Sequence, residues 1–356
     1  MAVPTVRDRD HTAAQLSEWL CSVIPDCHDA SVDLFDSPKG SGFSSETIPF
    51  DATWIATGAD HHAHLVARVM PAGYTLYQQH DLETQWRVID ALHRRSDVPV
   101  PRIVGAHTSD GGPLGRPFFV MERVDGVAPA DVPAYTVRGW LAEADMRDQA
   151  ALFDRSLDVL ARIHRVDVGA LCLDFLAGTT ANPAGIEEAM VHDEHFLEWV
   201  AEGRELPLFE EAARWLRAHL PTERTRVLTW CDARLGNMLF RDFAPVAVLD
   251  WEMVTLGPPD ADVGWWLFFN RLHSDGIGKP PLPGFPTESQ TVERYQELSG
   301  NVLTDLDFFV VRAAFRGGLL LVRYTDMLVA RGLLSLDAPH LPHTPAVTVL
   351  SALLDG

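Results

Sequence analysis

Residues 227–252 read VLTWCDARLGNMLFRDFAPVAVLDWE, in which three polar side chains stand beside apolar segments. The segments MLF and VAVL predict two strands that pair as a hairpin, so that the hydrophobic core fixes their ends. Asp232 then lies in the loop before the hairpin, Asn237 ends that loop, and Asp250 ends the second strand. Hard cations such as Mg²⁺ take oxygen ligands, and a carboxylate left over can accept a hydroxyl proton. We expect the three side chains to converge on one spot that suits both roles.

The sequence before this stretch predicts a small lobe that is rich in strands. Period-two and helical hydrophobic patterns, together with turn residues, mark the elements. They are a helix at 11–25, a strand at 29–35, a hairpin of strands 47–56 and 64–70 that turns around Gly58, a helix at 81–95 and a strand at 117–124.

From about residue 145 the pattern is mainly helical, apart from a strand-rich island between Val227 and Trp251. The predicted helices are 147–166, 186–203, 208–219, 260–273, 288–299 and 305–331. This order predicts an α+β, two-lobed protein with a small lobe at 1–124 and a larger lobe at 125–356. The larger lobe would carry a helical insertion at about 175–222. A cleft between such lobes is where small-molecule sites preferentially lie.

The charge composition limits the partners. The 356 residues include 29 basic and 50 acidic side chains, so the formal net charge is −21. This balance argues against nucleic acid and against an anionic membrane surface, since both attract basic proteins. Only Lys39 and Lys279 are lysines, and neither stands in a Walker A sequence. The four cysteines are too few for a disulfide framework and the N-terminus has no apolar signal core, which together predict a cytoplasmic protein.

The spacing of Asp232, Asn237 and the strand-end Asp250 is that of the catalytic aspartate and the two metal ligands of protein kinases. The amino-acid sequence of the whole stretch, with LDWE and then GPPDAD, resembles the aminoglycoside phosphotransferase family, especially its branch related to acyl-CoA-dehydrogenase-associated kinases. That family has His-Gly before the aspartate, where this chain has Trp230-Cys231. The resemblance implies a protein-kinase-like fold.

The resemblance also covers the N-terminal lobe. Gly42, Ser44, Ser45 and Thr47 resemble the family's nucleotide loop, in which small residues let backbone N–H groups approach phosphates. Arg68 stands where the family has the cation that pairs the α- and β-phosphates. Its planar guanidinium is suited to bidentate phosphate binding.

Two further parts of this lobe follow from the same comparison. Glu122 and Val124 resemble the hinge residues that bind adenine through their backbone groups. The family's helix carries a glutamate that pairs the phosphate-binding cation, and Gln85 stands at its place here. We favour Glu83 as the partner, because an unpaired Arg68 in a cleft would be costly.

The resemblance implies a phosphotransferase that uses ATP or GTP with Mg²⁺. Asn237 and Asp250 would hold the metal, Asp232 would accept the proton of an acceptor hydroxyl, and Arg234 would neutralise the γ-phosphoryl group, because protein kinases have a phosphate-contacting lysine at its position. The acceptor stays open between two classes. An aminoglycoside would need several carboxylates, for which the candidates are Asp193, Glu194, Glu198 and Glu202, whereas a hydroxyacyl thioester would need an apolar channel and basic residues. A pseudokinase or nucleotide-binding scaffold is the alternative from another class.

Several other polar groups have simpler interpretations. His61, His62 and His64 lie near the predicted turn, so we expect solvated turn residues rather than metal ligands. Asp262 is expected to cap the helix that starts near residue 261 and to brace the catalytic loop. The aromatic residues Trp265, Trp266, Phe268 and Phe269 are expected to pack in the core, and Cys231 to be a buried thiol.

Overall fold

The computed structural model describes residues 7–36, 45–71, 75–78, 80–177, 185–222, 225–330, 332–335 and 344–355. The chain divides into two compact units. The first comprises Met1–Arg94 and Pro101–Val124, and the second comprises Arg95–Val100 and Asp125–Gly356.

The first unit is built on one antiparallel sheet. Its elements are α1 (Arg9–Val23), β1 (His28–Leu34), β2 (Glu46–Ala56), β3 (Ala59–Val69), α2 (Leu82–Arg95), β4 (Ile103–His107) and β5 (Phe118–Glu122). The strands follow the order β1-β2-β3-β5-β4. The strand β4 was not predicted, because IVGAH lacks the alternation that marked the other strands.

The β2–β3 hairpin is longer than predicted. The predicted second strand starts at His64, whereas β3 starts at Ala59 and pairs with Ala56 across the turn. Thr57 and Gly58 form this turn with φ of 52° and 76°, a conformation that Gly adopts at low cost. The expectation that the three histidines lie in a turn is therefore wrong, since all three belong to β3.

Helix α1 covers one face of the sheet. Asp8 caps its N-terminus by accepting a hydrogen bond from the His11 backbone N–H. The ring of Trp19 meets that of Phe118 edge-on, with centroids 4.9 Å apart. Cys21 in the last turn of α1 and Cys27 after the helix are joined by a disulfide with Cα atoms 4.7 Å apart, a pairing that the cysteine spacing had not led us to expect.

The second unit is mainly helical. Its elements are α3 (Met146–Arg165), α4 (Ile186–Ala201), α5 (Pro207–Ala218), β6 (Val227–Thr229), β7 (Met238–Arg241), β8 (Ala244–Val248), β9 (Thr255–Gly257), α6 (Pro259–Leu272), α7 (Glu288–Ser299), α8 (Leu306–Ala330) and α9 (Pro345–Asp355). The six predicted helices are present within two residues at each end, and α9 was missed. None of the described helices combines the length and the apolar character needed to cross a membrane.

Close packing of α6 against α8 fixes the helix that lies behind the site. A Cβ at Gly264 would come within 2.7 Å of the Phe309 backbone, and a Cβ at Gly317 within 2.4 Å of the Phe268 ring. Both glycines therefore let the two helices approach more closely than larger residues would. The position of α6 is set by this contact, and through α6 so are the side chains that it presents to the loop before β7.

Candidate active site

Two short strand pairs hold the loop that carries Asp232. Strand β6 pairs with β9, and β7 pairs with β8 as the predicted hairpin. The loop runs from the end of β6 at Thr229 to a 3₁₀ turn at Leu235–Asn237 that leads directly into β7. The Leu249 backbone N–H donates to the Asn237 carbonyl over 2.9 Å, which ties the end of this loop to the segment that carries Asp250.

Asp232 is a buried carboxylate with defined donors, and only 7% of the residue is exposed. Its Oδ1 accepts hydrogen bonds from the Trp265 indole N–H at 2.9 Å and from Arg234 Nε at 3.0 Å. Burial raises the pKa of Asp232, the Arg234 charge opposes this, and the nearby charge of Asp250 adds to the rise. A carboxylate whose pKa is raised is a stronger base than an ordinary one, which is useful for accepting a hydroxyl proton.

Arg234 is held between two carboxylates. It donates to Asp232, and its Nη1 lies 2.5 Å from Asp131 Oδ2. Its guanidinium stacks over the Phe269 ring at 5.1 Å from the centroid. Burial alone would lower the pKa of Arg234, but the charges of Asp232 and Asp131 raise it, so the guanidinium stays charged. A phosphoryl group that meets this cation would have to share it with both carboxylates.

One stripe of α6 supports this arrangement. Trp265, Phe269 and His273 are spaced four residues apart, so they lie on one face of the helix. Trp265 contacts Asp232, Phe269 contacts Arg234, and His273 Nε2 lies 3.4 Å from Asp131 Oδ1. The expectation of simple core packing holds for Trp266 and Phe268 but misses the polar contact of Trp265.

Trp230, at the position of the family's histidine, links the loop to Asp250. Its indole N–H donates to the carbonyls of Leu249 and Asp250 over 2.9 and 3.1 Å. Asp250 has φ of 58°, and Cys231 at the family's glycine position has φ of 65°. The left-handed conformation at residue 231 explains why a glycine suits that position. Cys231 is only partly buried as a residue, and desolvation of its thiol raises the pKa to about 12, so the thiol stays protonated at neutral pH.

Asp262 braces the loop as predicted, although not as a helix cap. Its carboxylate accepts the backbone N–H groups of Trp230 at 2.7 Å and Cys231 at 2.6 Å. His164 Nε2 lies 2.9 Å away and Tyr295 meets the other ring nitrogen at 2.5 Å. The N-cap of α6 is Pro258, which places Asp262 in the first turn instead. Its bonds to the backbone of residues 230 and 231 take the place of the capping bond that the sequence had suggested.

Asn237 and Asp250 fit a small hard cation. Asn237 is 5% exposed, and its Nδ2 donates to the Asp232 carbonyl at 3.2 Å, so the amide oxygen is the atom left to serve as a ligand. The Asp250 charge is close enough to raise the pKa of Asp232. One carboxylate and one amide oxygen form the donor set that Mg²⁺ takes from proteins, with water and phosphate oxygens completing its shell.

The predicted nucleotide residues belong to the first unit. Gly42 and Ser44 lie outside the described residues, and Ser45 is buried with 1% exposed. Thr47 on β2 stands opposite Arg68 on β3, whose Nη1 donates to Thr47 Oγ1 at 2.9 Å. This bond directs the guanidinium toward the N-terminal end of β2, which follows the predicted nucleotide loop.

The two candidate partners on α2 point to different sides. Glu83 has 56% of its side chain exposed and pairs with Arg87 on the same helix at 3.5 Å. Gln85, in contrast, is 2% exposed and lies on the buried face of α2. The preference for Glu83 over Gln85 is thus not supported by the burial of the helix, because the rotation that buries Leu92 also buries Gln85.

The predicted hinge follows β5. The Glu122 backbone N–H donates to the Arg102 carbonyl at 2.9 Å. The Glu122 side chain pairs with Arg102 at 2.6 Å. The next N–H, of Arg123, donates to the His64 carbonyl at 2.9 Å, and Val124 ends the first unit. The backbone of this segment is therefore anchored on both sides.

A family model described as the phosphotransferase enzyme family matches residues 49–293. The chain belongs to this family. Similar curated proteins include acyl-CoA dehydrogenase family member 10 of Mus musculus, 32% identical over 234 residues that make up 64% of this chain and 20% of that protein. Family member 11 of Homo sapiens is 28% identical over 264 residues, 70% of this chain and 32% of that protein. The chain thus spans between a fifth and a third of these relatives.

Solved structures show the same fold. A Ralstonia eutropha protein assigned as an aminoglycoside phosphotransferase superposes with a TM-score of 0.71 at 22% identity, covering 96% of this chain and 98% of that chain. A thermostable mutant of aminoglycoside phosphotransferase APH(4)-Ia, in a ternary complex with ADP and hygromycin B, gives 0.55 at 14% identity, covering 96% and 97%. The predicted protein-kinase-like α+β fold is therefore confirmed.

Within the second unit, most of the carboxylates considered for an aminoglycoside are already paired. Asp193 is fully buried and binds Arg312 at 2.7 Å and also Arg316. Glu194 pairs with Arg217 and Glu202 with Arg323, each at 2.5 Å. Desolvation would raise the pKa of Asp193, but the two arginines lower it below its ordinary value. These three groups serve the packing of α4 rather than offering unpaired negative charge.

Two site residues were missed from the sequence. The sequence predicted the burial of Trp265 but not its hydrogen bond to Asp232. The spacing of Trp265 and Phe269, on a helix that follows Asp250, could have indicated that both face the site. Asp131 gave no signal, because the contact with Arg234 joins residues 103 positions apart.

Proposed function

We propose that this chain transfers the γ-phosphoryl group of ATP or GTP to a hydroxyl group of a small molecule, with Mg²⁺ as the metal. The observation that carries the proposal is Asp232, a buried carboxylate with a raised pKa, oriented by Trp265 and Arg234 and adjacent to Asn237 and Asp250. Membership of the phosphotransferase enzyme family supports it. The predicted cytoplasmic location belongs to the same proposal.

Each residue has a stated role. Asp232 would orient the acceptor hydroxyl and take its proton, because Oδ1 is held by two donors and the carboxylate can present its other oxygen. Arg234 would lend positive charge to the phosphoryl group during transfer while remaining paired with Asp131. Asn237 and Asp250 would hold Mg²⁺, which when bound neutralises phosphate charge.

The first unit would bind the nucleotide. Arg68, steadied by Thr47, would pair with the α- and β-phosphates, and Ser45 belongs to the loop that would approach them. Glu122 and Val124 would bind the adenine or guanine ring through backbone groups. Gln85, on the buried face of α2, replaces Glu83 as the helix residue that we assign to this region.

The pairing in α4 bears on the acceptor. A polycationic aminoglycoside needs carboxylates that are not already neutralised, and Asp193, Glu194 and Glu202 each have an arginine partner. This observation favours an acceptor that is not polycationic, of which a hydroxyacyl thioester is one example. The ADP and hygromycin B complex of APH(4)-Ia shows that the fold itself accepts aminoglycosides, so both classes belong in the test.

The test is a nucleotide-consumption screen over hydroxyl acceptors, from aminoglycosides to hydroxyacyl thioesters, with Asp232→Asn as the blank. We expect Asp232→Asn to lower kcat on the true acceptor by about 10²–10⁴-fold, the usual contribution of a general base, while nucleotide affinity measured by calorimetry changes only a few-fold. Full activity of this variant would remove Asp232 from the proposed role. Slow ATP hydrolysis that Asp250→Ala abolishes would separate an enzyme from a nucleotide-binding scaffold.

A further inference from the structure

A second group of metal-ligating side chains lies on the sheet of the first unit. Among the described residues, Asp51, His62 and His64 bring three potential ligand atoms within 4.8 Å of one another. His64 Nδ1 lies 2.5 Å from Asp51 Oδ1, and His62 Nε2 lies 3.9 Å from Asp51 Oδ2. The two imidazole rings meet edge-on with centroids 4.7 Å apart.

The strand register explains this grouping. Side chains two positions apart on a strand share a face, which places His62 and His64 together on β3. Asp51 on β2 stands directly opposite His64 in the antiparallel pair. The cluster is therefore held by the backbone of a regular hairpin, although His62 and His64 have 52% and 46% of their side chains exposed.

We propose that Asp51, His62 and His64 form a binding site for a divalent transition-metal ion such as Zn²⁺. Two imidazoles and one carboxylate are ligands that Zn²⁺ accepts in proteins, and the exposed side of the site leaves a position for water. Ligand bonds of about 2.0–2.2 Å in tetrahedral geometry place neighbouring donor atoms about 3.4 Å apart. The observed separations of 2.5 and 3.9 Å lie on either side of that value, so small side-chain rotations complete the site.

Arg123 is the cation that now stands beside this group. Its Nη1 lies 3.8 Å from Asp51 Oδ1, while its guanidinium stacks over the Phe35 ring at 5.3 Å. A bound metal ion would compete with this guanidinium for the Asp51 carboxylate. Removing Arg123 should therefore strengthen metal binding. If Arg123 served only to hold the hairpin together, its removal would weaken metal binding instead.

The experiment is a calorimetric titration of ZnCl₂ into the untagged full chain. We expect one site with a micromolar dissociation constant that weakens by about tenfold or more in His62→Ala and in His64→Ala. His61→Ala is the matched control, because His61 is on the same strand but stacks on Trp54, and it should bind Zn²⁺ as the unchanged chain does. Asp250→Ala should also retain this binding, which separates the site from the predicted Mg²⁺ ligands.

Arg123→Ala should tighten Zn²⁺ binding by about two- to fivefold, the change that corresponds to losing one exposed competing ion pair. Circular dichroism of each variant checks that the hairpin is folded. Absence of a Zn²⁺ site in the unchanged chain, or an equal affinity in His64→Ala and His61→Ala, would overturn the proposal. Neither result depends on phosphoryl transfer, so the proposed function stands or falls separately.

Discussion

Replacing Trp265 with Phe removes one hydrogen-bond donor from Asp232 while keeping an aromatic ring in the core. The indole N–H lies 2.9 Å from Asp232 Oδ1, and both residues are buried. A hydrogen bond to a charged group contributes about 1.5–3 kcal/mol, and its loss leaves the buried carboxylate with Arg234 as its remaining side-chain donor on that oxygen. Because the lost hydrogen bond favours the ionised carboxylate, the pKa of Asp232 should rise further in this variant.

The sign of the pH dependence follows from this rise. Burial already raises the pKa of Asp232 above its unfolded value, so the ionised form destabilises the folded state at neutral pH and this cost disappears as pH falls. Trp265→Phe increases the cost. The loss in free energy of unfolding relative to the unchanged chain should therefore be larger at about pH 8 than at about pH 5.

Two assays measure the effect. Urea unfolding at the two pH values gives the difference in stability, and the pH profile of kcat/KM should show its acid limb displaced to higher pH, because the base must be deprotonated to act. Trp266→Phe is the matched control, since Trp266 is equally buried and its indole N–H has no hydrogen-bond partner among the described residues. If Trp265→Phe and Trp266→Phe show the same pH dependence, the indole does not tune Asp232 and the reasoning fails.

Two further predictions concern the same loop. Trp230→Phe removes the donor to the carbonyls of Leu249 and Asp250, so the free energy of unfolding should fall by about 1 kcal/mol. ATP hydrolysis should also require a higher Mg²⁺ concentration, which a titration with Mg²⁺ measures. An unchanged Mg²⁺ requirement would contradict the link to Asp250. Because burial raises the pKa of the Cys231 thiol to about 12, iodoacetamide at about pH 8 should alkylate the exposed Cys172 and leave Cys231 intact until urea unfolds the chain. Peptide mass spectrometry checks this, and prompt alkylation of Cys231 would show that the loop opens in the native state.

The sequence was most informative where the chemistry is local. Asp232, Asn237 and Asp250 lie within one hairpin and the loop before it, so their spacing along the chain already determines their proximity. Trp230 shows the limit of this reasoning. Its position in the sequence does not show that the indole N–H donates to the carbonyls of Leu249 and Asp250 and so ties the loop to the segment that carries Asp250.

Contacts between distant segments could not be predicted. Asp131 reaches Arg234 across 103 residues, and no local pattern records such a pairing. For Trp265, hydrophobicity predicted the burial correctly but carries no information about where the N–H points. The histidines of β3 were placed in a turn because the polar residues at 60–62 masked the pattern of a strand. Their cross-strand neighbour Asp51 is identified only by the strand register.

Asp262 affects which residues of the loop before Asp232 can change in sequence. It holds residues 230 and 231 by their backbone N–H groups and not by their side chains. His164 contacts Asp262 from another helix, and Tyr295 in turn holds the other ring nitrogen of His164. An anchor of this kind is indifferent to side-chain identity, provided that residue 231 tolerates a left-handed backbone. A Trp-Cys pair can therefore stand where relatives have His-Gly without moving the reactive carboxylate. Substitutions at residues 230 and 231 leave both backbone N–H groups in place for Asp262, whereas Asp262→Ala removes the acceptor of both hydrogen bonds at once.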